Sequence, residues 1–159
     1  MSAPYPVIIS KKHNGTVGWL SDKTLEAAGQ SYKQDQLVLT AVGGAISITV
    51  SGSAAEILGV ATADATGVTS AVAKVSIVEP GDFLEMTLCN ASTTPVVAVL
   101  ADLYNAIGLY VSGGSCFANQ GAATFGQIVD LVLDSTGAYT SRVLVTPFPS
   151  CLVVSASGL

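Results

Sequence analysis

Charge is what this chain has least of: 11% of its 159 residues are Asp, Glu, Lys or Arg, against about 25% in an ordinary globular protein. A lone protein with so few charges leaves much of its surface inclined to associate, so identical subunits or a partner are expected to cover part of it. A monomeric β-domain coated with serine and threonine is the other arrangement this composition permits. The charges present are unevenly placed, residues 1–35 summing to +1 and the remaining 124 to −6. An acidic body does not suit nucleic acid, whose binding rests on phosphate neutralisation by Lys and Arg.

Long apolar runs are missing too. The longest, Val96 to Ala101, has six residues, far below the ~20 that a spanning helix needs, so no membrane partner is expected. The opening MSAPYPVIISKKHNGT has no basic start followed by an apolar core, and synthesis in the cytoplasm without a secretory leader is the expectation. Histidine occurs once, as His13 in the most polar stretch, which leaves Ser-His-Asp or Cys-His catalysis no ordered base. Cys89, Cys116 and Cys151 are odd in number and far apart, without a C-x-x-C pair. Neither a disulfide framework nor a zinc site is indicated, and they read as small buried apolar residues.

Aromatics are scarce at 6%, too few to suggest a sugar platform beside paired carboxylates. The carboxylates gather as Glu79, Asp82 and Glu85 around Pro80-Gly81, and as Asp130 with Asp134. Neither group matches the D-x-[DN]-x-[DN]-G calcium pattern, and both read as solvated turns and strand edges. Gly113-Gly114-Ser115 and Gly52-Ser53 lack the spacing of a phosphate cradle. No catalytic residue, cofactor or metal ligand is expected, and the chain does not read as an enzyme.

What remains is a β-pattern preceded by an arm. Residues 1–34 are polar, with Pro4, Pro6, an Asn14-Gly15 turn and isolated hydrophobes at Val7-Ile8-Ile9, Val17 and Trp19-Leu20. They predict an extended N-terminal arm with one short strand at Val7 to Ser10 and a turn of helix near Asp22 to Ala28. Residues 35–159 predict the body: short apolar segments about ten residues apart, separated by Gly, Ser, Thr and Asp. Ile46-Ser47-Ile48-Thr49-Val50 alternates, placing aliphatics on one face and hydroxyls on the other.

Val75 with Ile77, and Leu84 with Met86 and Leu88, repeat that alternation on either side of Pro80-Gly81-Asp82, and predict antiparallel neighbours joined by a short turn. Further strands are expected at Leu37 to Thr40, Ile57 to Thr62, Gly108 to Val111, Cys116 to Asn119, Gln127 to Leu133, Arg142 to Thr146 and Leu152 to Ser155. Thr94-Pro95 followed by Val96, Val99, Leu100 and Leu103 carries helical spacing and predicts one short helix. The fold class expected is all-β: a small antiparallel β-barrel or sandwich with one short helix and an extended arm.

The stretch Ala54-Ala55-Glu56-Ile57-Leu58-Gly59-Val60-Ala61-Thr62-Ala63-Asp64-Ala65-Thr66-Gly67 is followed by Val75 to Glu79 and Pro80-Gly81-Asp82-Phe83-Leu84-Glu85-Met86. A short Ala/Val-rich stretch then leads into Gly108-Leu109-Tyr110-Val111. In order and spacing, residues 35–155 resemble the head decoration, or capsid cement, proteins of tailed bacteriophages. The resemblance implies a β-barrel that adds to the outside of an assembled head, often as trimers at local three-fold positions, and resists internal genome pressure. Its partners would be the major capsid protein and sister copies in a homotrimer, and its location the exterior of the virion.

The arm, residues 1–34, matches nothing in that family. Tyr5, Val7, Ile8, Ile9, Trp19 and Leu20 are its candidate contacts with the capsid or with sister subunits. Val7-Ile8-Ile9 would add as a strand to an exposed sheet edge. Trp19 would be a buried anchor, or else a lid over the bottom of the barrel. Three such arms in one trimer raise avidity by ~10²–10⁴. The alternative function is a carbohydrate- or protein-binding β-module of a fibre or adhesin, with the acidic turns as its site.

Overall fold

A computed structural model of the chain describes residues 4–11, 20–21, 24–40, 46–48 and 56–153. Among them are eleven strands: β1 (Ile8–Lys11), β2 (Leu20–Ser21), β3 (Leu37–Thr40), β4 (Ile46–Ile48), β5 (Ile57–Ala61), β6 (Val75–Ile77), β7 (Phe83–Cys89), β8 (Ala106–Ser112), β9 (Ser115–Asn119), β10 (Gly126–Leu133) and β11 (Tyr139–Pro147). The all-β expectation is met, with strands at most of the segments where period-two alternation placed them.

The strands form two sheets. In the first, of six strands, pairing runs β1-β7-β11-β10-β8-β9, and a further parallel pairing of β9 with β7 brings the sheet nearly round into a ring. Register shifts at Ile128/Asp130 and Leu131/Leu133 in the β10–β11 pair supply the local bending that such curvature requires. Inside lie Leu84, Met86, Leu88, Ile107, Leu109, Phe125, Ile128, Val143 and Val145, all buried. The second sheet runs β2-β6-β5-β3-β4, with β3, β5 and β6 at its centre. Its middle strand Ile57–Ala61 is buried along its whole length, as an uninterrupted apolar strand covered on both faces should be. Leu37, Ile57 and Val60 join the ring's core, while Val38, Leu58, Ala61, Val75 and Ile77 pack with Tyr32 and Ala73 in a second cluster.

Four expectations are corrected. The stretch from Thr94 to Leu103 is not an α-helix: Pro95 bridges Cys89, Val96 N–H donates to the Leu88 carbonyl, Ala98 N–H donates to the Thr140 carbonyl, and a single 3₁₀ turn occupies Leu100–Asp102. Val96, Val97 and Val99 are β-branched and lose side-chain freedom in a helix, and the extended path offers their backbone sheet partners instead. Val75–Ile77 and Phe83–Cys89 are not neighbours. β6 pairs with β5 and β2, whereas β7 pairs with β1, β11 and β9, so Pro80-Gly81 carries the chain from one sheet to the other. Of the strand expected at Leu152 to Ser155, Leu152 makes an isolated bridge to Ile57, and residues 154–155 lie outside the described residues. In the described part of the stretch expected as a helical turn near Asp22 to Ala28, residues 24–28, Leu25 instead bridges Val72; residues 22–23 lie outside the described residues.

Candidate functional site

The candidate contact residues of the arm lie at different places. Tyr5 stacks at a tilt on Phe117, ring centroids 5.0 Å apart, and its N–H donates to Ser115 Oγ at 3.0 Å. Val7 is 1% exposed inside the main core, and Ile9 is partly buried against that core. Ile8 is 45% exposed on β1, which pairs with β7 of the same chain and forms the free edge of the six-stranded sheet. Leu20 pairs through its backbone with Ser76 at the edge of the second sheet. Trp19 and His13 lie outside the described residues. Tyr5, Val7 and Ile9 are thus drawn together along the ring, and Ile8 is the member turned to solvent.

Two carboxylates hold this framework from within. Glu26, 2% exposed, accepts from Thr66 N–H at 2.8 Å, Thr66 Oγ1 at 3.0 Å, Gly67 N–H at 3.0 Å and the Tyr32 hydroxyl at 3.3 Å. It ties the 24–32 segment to the 66–67 loop. Burial first, and then the neighbouring Glu26, push the Tyr32 phenol up to about 12. Asp82 is fully buried, and its Oδ2 accepts the Glu79 N–H at 2.8 Å, closing the turn between the sheets. Expected as a solvated turn residue, it is a structural one.

The other acidic turn residues are also committed. Glu85 pairs with Arg142. Asp134 Oδ1 accepts from Thr136 N–H, Thr136 Oγ1 and Ala138 N–H, which hold its carboxyl below the usual range. The cysteines are free and buried, and desolvation pushes the Cys89 and Cys151 thiols up, the reverse of what a nucleophile requires. No group of three or more His, Cys, Asp or Glu side chains able to hold a metal occurs among the described residues.

Exposed apolar side chains are where the surface departs from the ordinary. Val97, Val99, Leu100 and Tyr104 are each more than half exposed, the last two at 65%. The Ala98 N–H bond to the Thr140 carbonyl sets this stretch beside β11, where Tyr139 pairs with Leu133, both also exposed. Tyr104 has φ 68°, a left-handed conformation that costs a non-glycine residue ~1–2 kcal/mol. It is kept there by its own N–H donating to the Ile128 carbonyl and by Gln127 Nε2 donating to its carbonyl at 2.8 Å. The spacing of Val96, Val99, Leu100 and Leu103 predicts a short helix; the signal in the sequence against it is Pro95 leading into the β-branched Val96, Val97 and Val99.

Beside this stretch opens a cavity of about 300 Å³, lined by Asp102, Asn105, Ala106, Ile107, Gln120, Ala123 and Ile128. Asp102 is 8% exposed. Its Oδ2 reaches back to the Val99 N–H at 2.8 Å, capping the 3₁₀ turn, and its Oδ1 accepts from Gln120 Nε2 at 2.7 Å. No protein-family model matches the chain, and no curated protein matches it in sequence.

Proposed function

We propose that this chain is a virion structural protein that binds the outer surface of an assembled phage head and stabilises it, as a homotrimer bridging neighbouring capsomers. The observation that carries the reading is the run of exposed apolar side chains at Val97, Val99, Leu100 and Tyr104, continued by Leu133 and Tyr139, on a chain with very few charges. Contiguous apolar surface of this kind is characteristic of contact with another macromolecule. The resemblance in residues 35–155 supplies the kind of assembly. Buried, high thiols and carboxylates engaged in turns favour a binding role over a catalytic one.

The arm's part in this reading shifts from the whole Val7–Ile9 run to the outer edge of β1. Val7 is in the core and β1 is already paired on one side, so Ile8 and the free edge are what a further strand could join. Partners are the major capsid protein and sister copies, and the location is the capsid exterior.

The test mixes purified full-length chain with expanded heads assembled from the major capsid protein of the same genome, and pellets the heads. Saturable co-sedimentation and heads more resistant to heat are expected. A chain that stays in the supernatant at all concentrations rejects the reading.

A further inference from the structure

We infer that the Asp102 cavity receives an arginine side chain of the protein this chain docks on, an inference that rests on the docking role above. Asn105 Nδ2 donates to the Ala101 carbonyl at 2.9 Å, and Gln120 Nε2 donates to Asp102 Oδ1 at 2.7 Å. Both amide orientations are fixed by partners that can only accept. One N–H of each amide is therefore turned on the protein, and neither amide carbonyl oxygen has a partner among the described residues. Asp102 itself accepts two hydrogen bonds, where a carboxylate has about four lone-pair sites, and no lysine or arginine pairs with it among the described residues.

The cavity thus offers acceptors from three side chains, one of them a buried carboxylate, between the apolar walls Ile107, Ile128, Ala106 and Ala123. A ligand rich in donors and without acceptors fits this chemistry. Guanidinium has five N–H donors in a plane and no acceptor, and its flat face and aliphatic stem suit apolar walls. A sugar is neutral and would leave the buried Asp102 carboxylate without the counter-charge that a guanidinium supplies. A volume of about 300 Å³ is at the small end of ligand sites and accommodates one side chain.

The occupant comes from a different protein. The chain's single arginine, Arg142, is engaged with Glu85, Thr87 and the Pro6 carbonyl, so a sister copy has none to offer. The exposed Val99, Leu100 and Tyr104 adjoin the cavity along the chain, and such an apolar surround excludes water from an anchoring arginine, the arrangement typical of interface hot spots.

The test is a nuclear magnetic resonance titration of the ¹⁵N-labelled full chain with N-acetyl-arginine amide, its neutral citrulline counterpart, the lysine analogue and methyl α-glucoside. The arginine probe is expected to shift the Gln120 and Asn105 side-chain amides and the Val99 N–H, saturating at about millimolar concentration, as a single contact of this size does. Asp102→Asn keeps an acceptor for Val99 and should weaken the arginine probe at least about tenfold. Ala123→Leu fills the cavity from its exposed rim without touching a hydrogen bond, and should abolish the shifts in a protein that unfolds like wild type. No response to arginine, or an equal response to citrulline, lysine or glucoside, overturns the inference. In the head-pelleting assay, Ala123→Leu should bind at least about tenfold more weakly than wild type. Binding unchanged by Ala123→Leu sinks the arginine pocket while the docking role stands; failure of the wild-type chain to bind sinks the docking role.

Discussion

Arg142 and Glu85 meet diagonally across the β11–β7 pairing, with Arg142 Nε donating to Glu85 Oε1 at 2.9 Å. The same guanidinium donates through Nη1 to Thr87 Oγ1 at 2.7 Å and to the Pro6 carbonyl at 3.0 Å, and through Nη2 to the Glu85 carbonyl at 3.2 Å. One side chain therefore joins two ring strands to the segment that leads into β1. Arg142→Ala removes all four donors and leaves a half-buried Glu85 without its partner. A loss of about 1–3 kcal/mol in urea unfolding is expected, with faster amide exchange at Ile8 and Ile9 than elsewhere in the ring. Uniform exchange rates would show that Arg142 does not hold the arm.

Gly59 lies where β5 meets β6, and a Cβ there would collide with the Ser76 carbonyl oxygen. Backbone must move to admit it, so Gly59→Ala should cost about 3 kcal/mol or more. Gly137 has open space around it but φ +84°, and Gly137→Ala should cost only about 1 kcal/mol, through conformation alone. Thermal melts of the two variants check the ranking, and equal effects would contradict the close approach at Gly59.

Tyr32 ties stability to alkaline pH. Its phenol is raised from 10.0 to about 12 in the fold, so the unfolded chain gives up this proton more readily. The contribution is complete below pH 10.0 and is lost as pH rises towards 12. Tyr32→Phe should flatten the fall in stability over that interval, and remove from an absorbance titration the tyrosinate component that appears last. Superimposable wild-type and variant curves would contradict this.

Tyr104 carries backbone strain at an exposed position. Tyr104→Gly relieves the left-handed conformation and removes an exposed ring, so the fold should be between unchanged and about 1 kcal/mol more stable. On the docking account, the same variant binds heads at least about tenfold more weakly. A variant that is both destabilised and fully able to bind would contradict both halves.

Much of this fold was legible in the residues. Alternation at Val75–Ile77 and Leu84–Leu88 located strands because period-two burial leaves a period-two sequence, short apolar runs bounded by turn residues located Leu37–Thr40 and Ile57–Ala61, and Gly113-Gly114 and Gly137 marked turns that adopt positive φ. Partnership was not legible: nothing local to Pro80-Gly81-Asp82 distinguishes a hairpin from a crossing between sheets, since both need the same tight turn. The run Val96–Ala101 misled for a related reason. Its spacing fits a helical stripe, and only the carbonyls of Leu88 and Thr140, distant in sequence, favour the extended path. The Asp102 cavity was equally hidden, because Asn105 and Gln120 come from separate elements and carry no motif.

Electron cryo-microscopy of expanded heads mixed with saturating full-length chain tests the central claim, that this protein works by covering its apolar face against an assembled shell. The account predicts added density outside the shell at local three-fold positions, with Val97, Val99, Leu100 and Tyr104 turned inward against shell protein. Bare heads at saturating protein, or bound density with that face left in solvent, would contradict it.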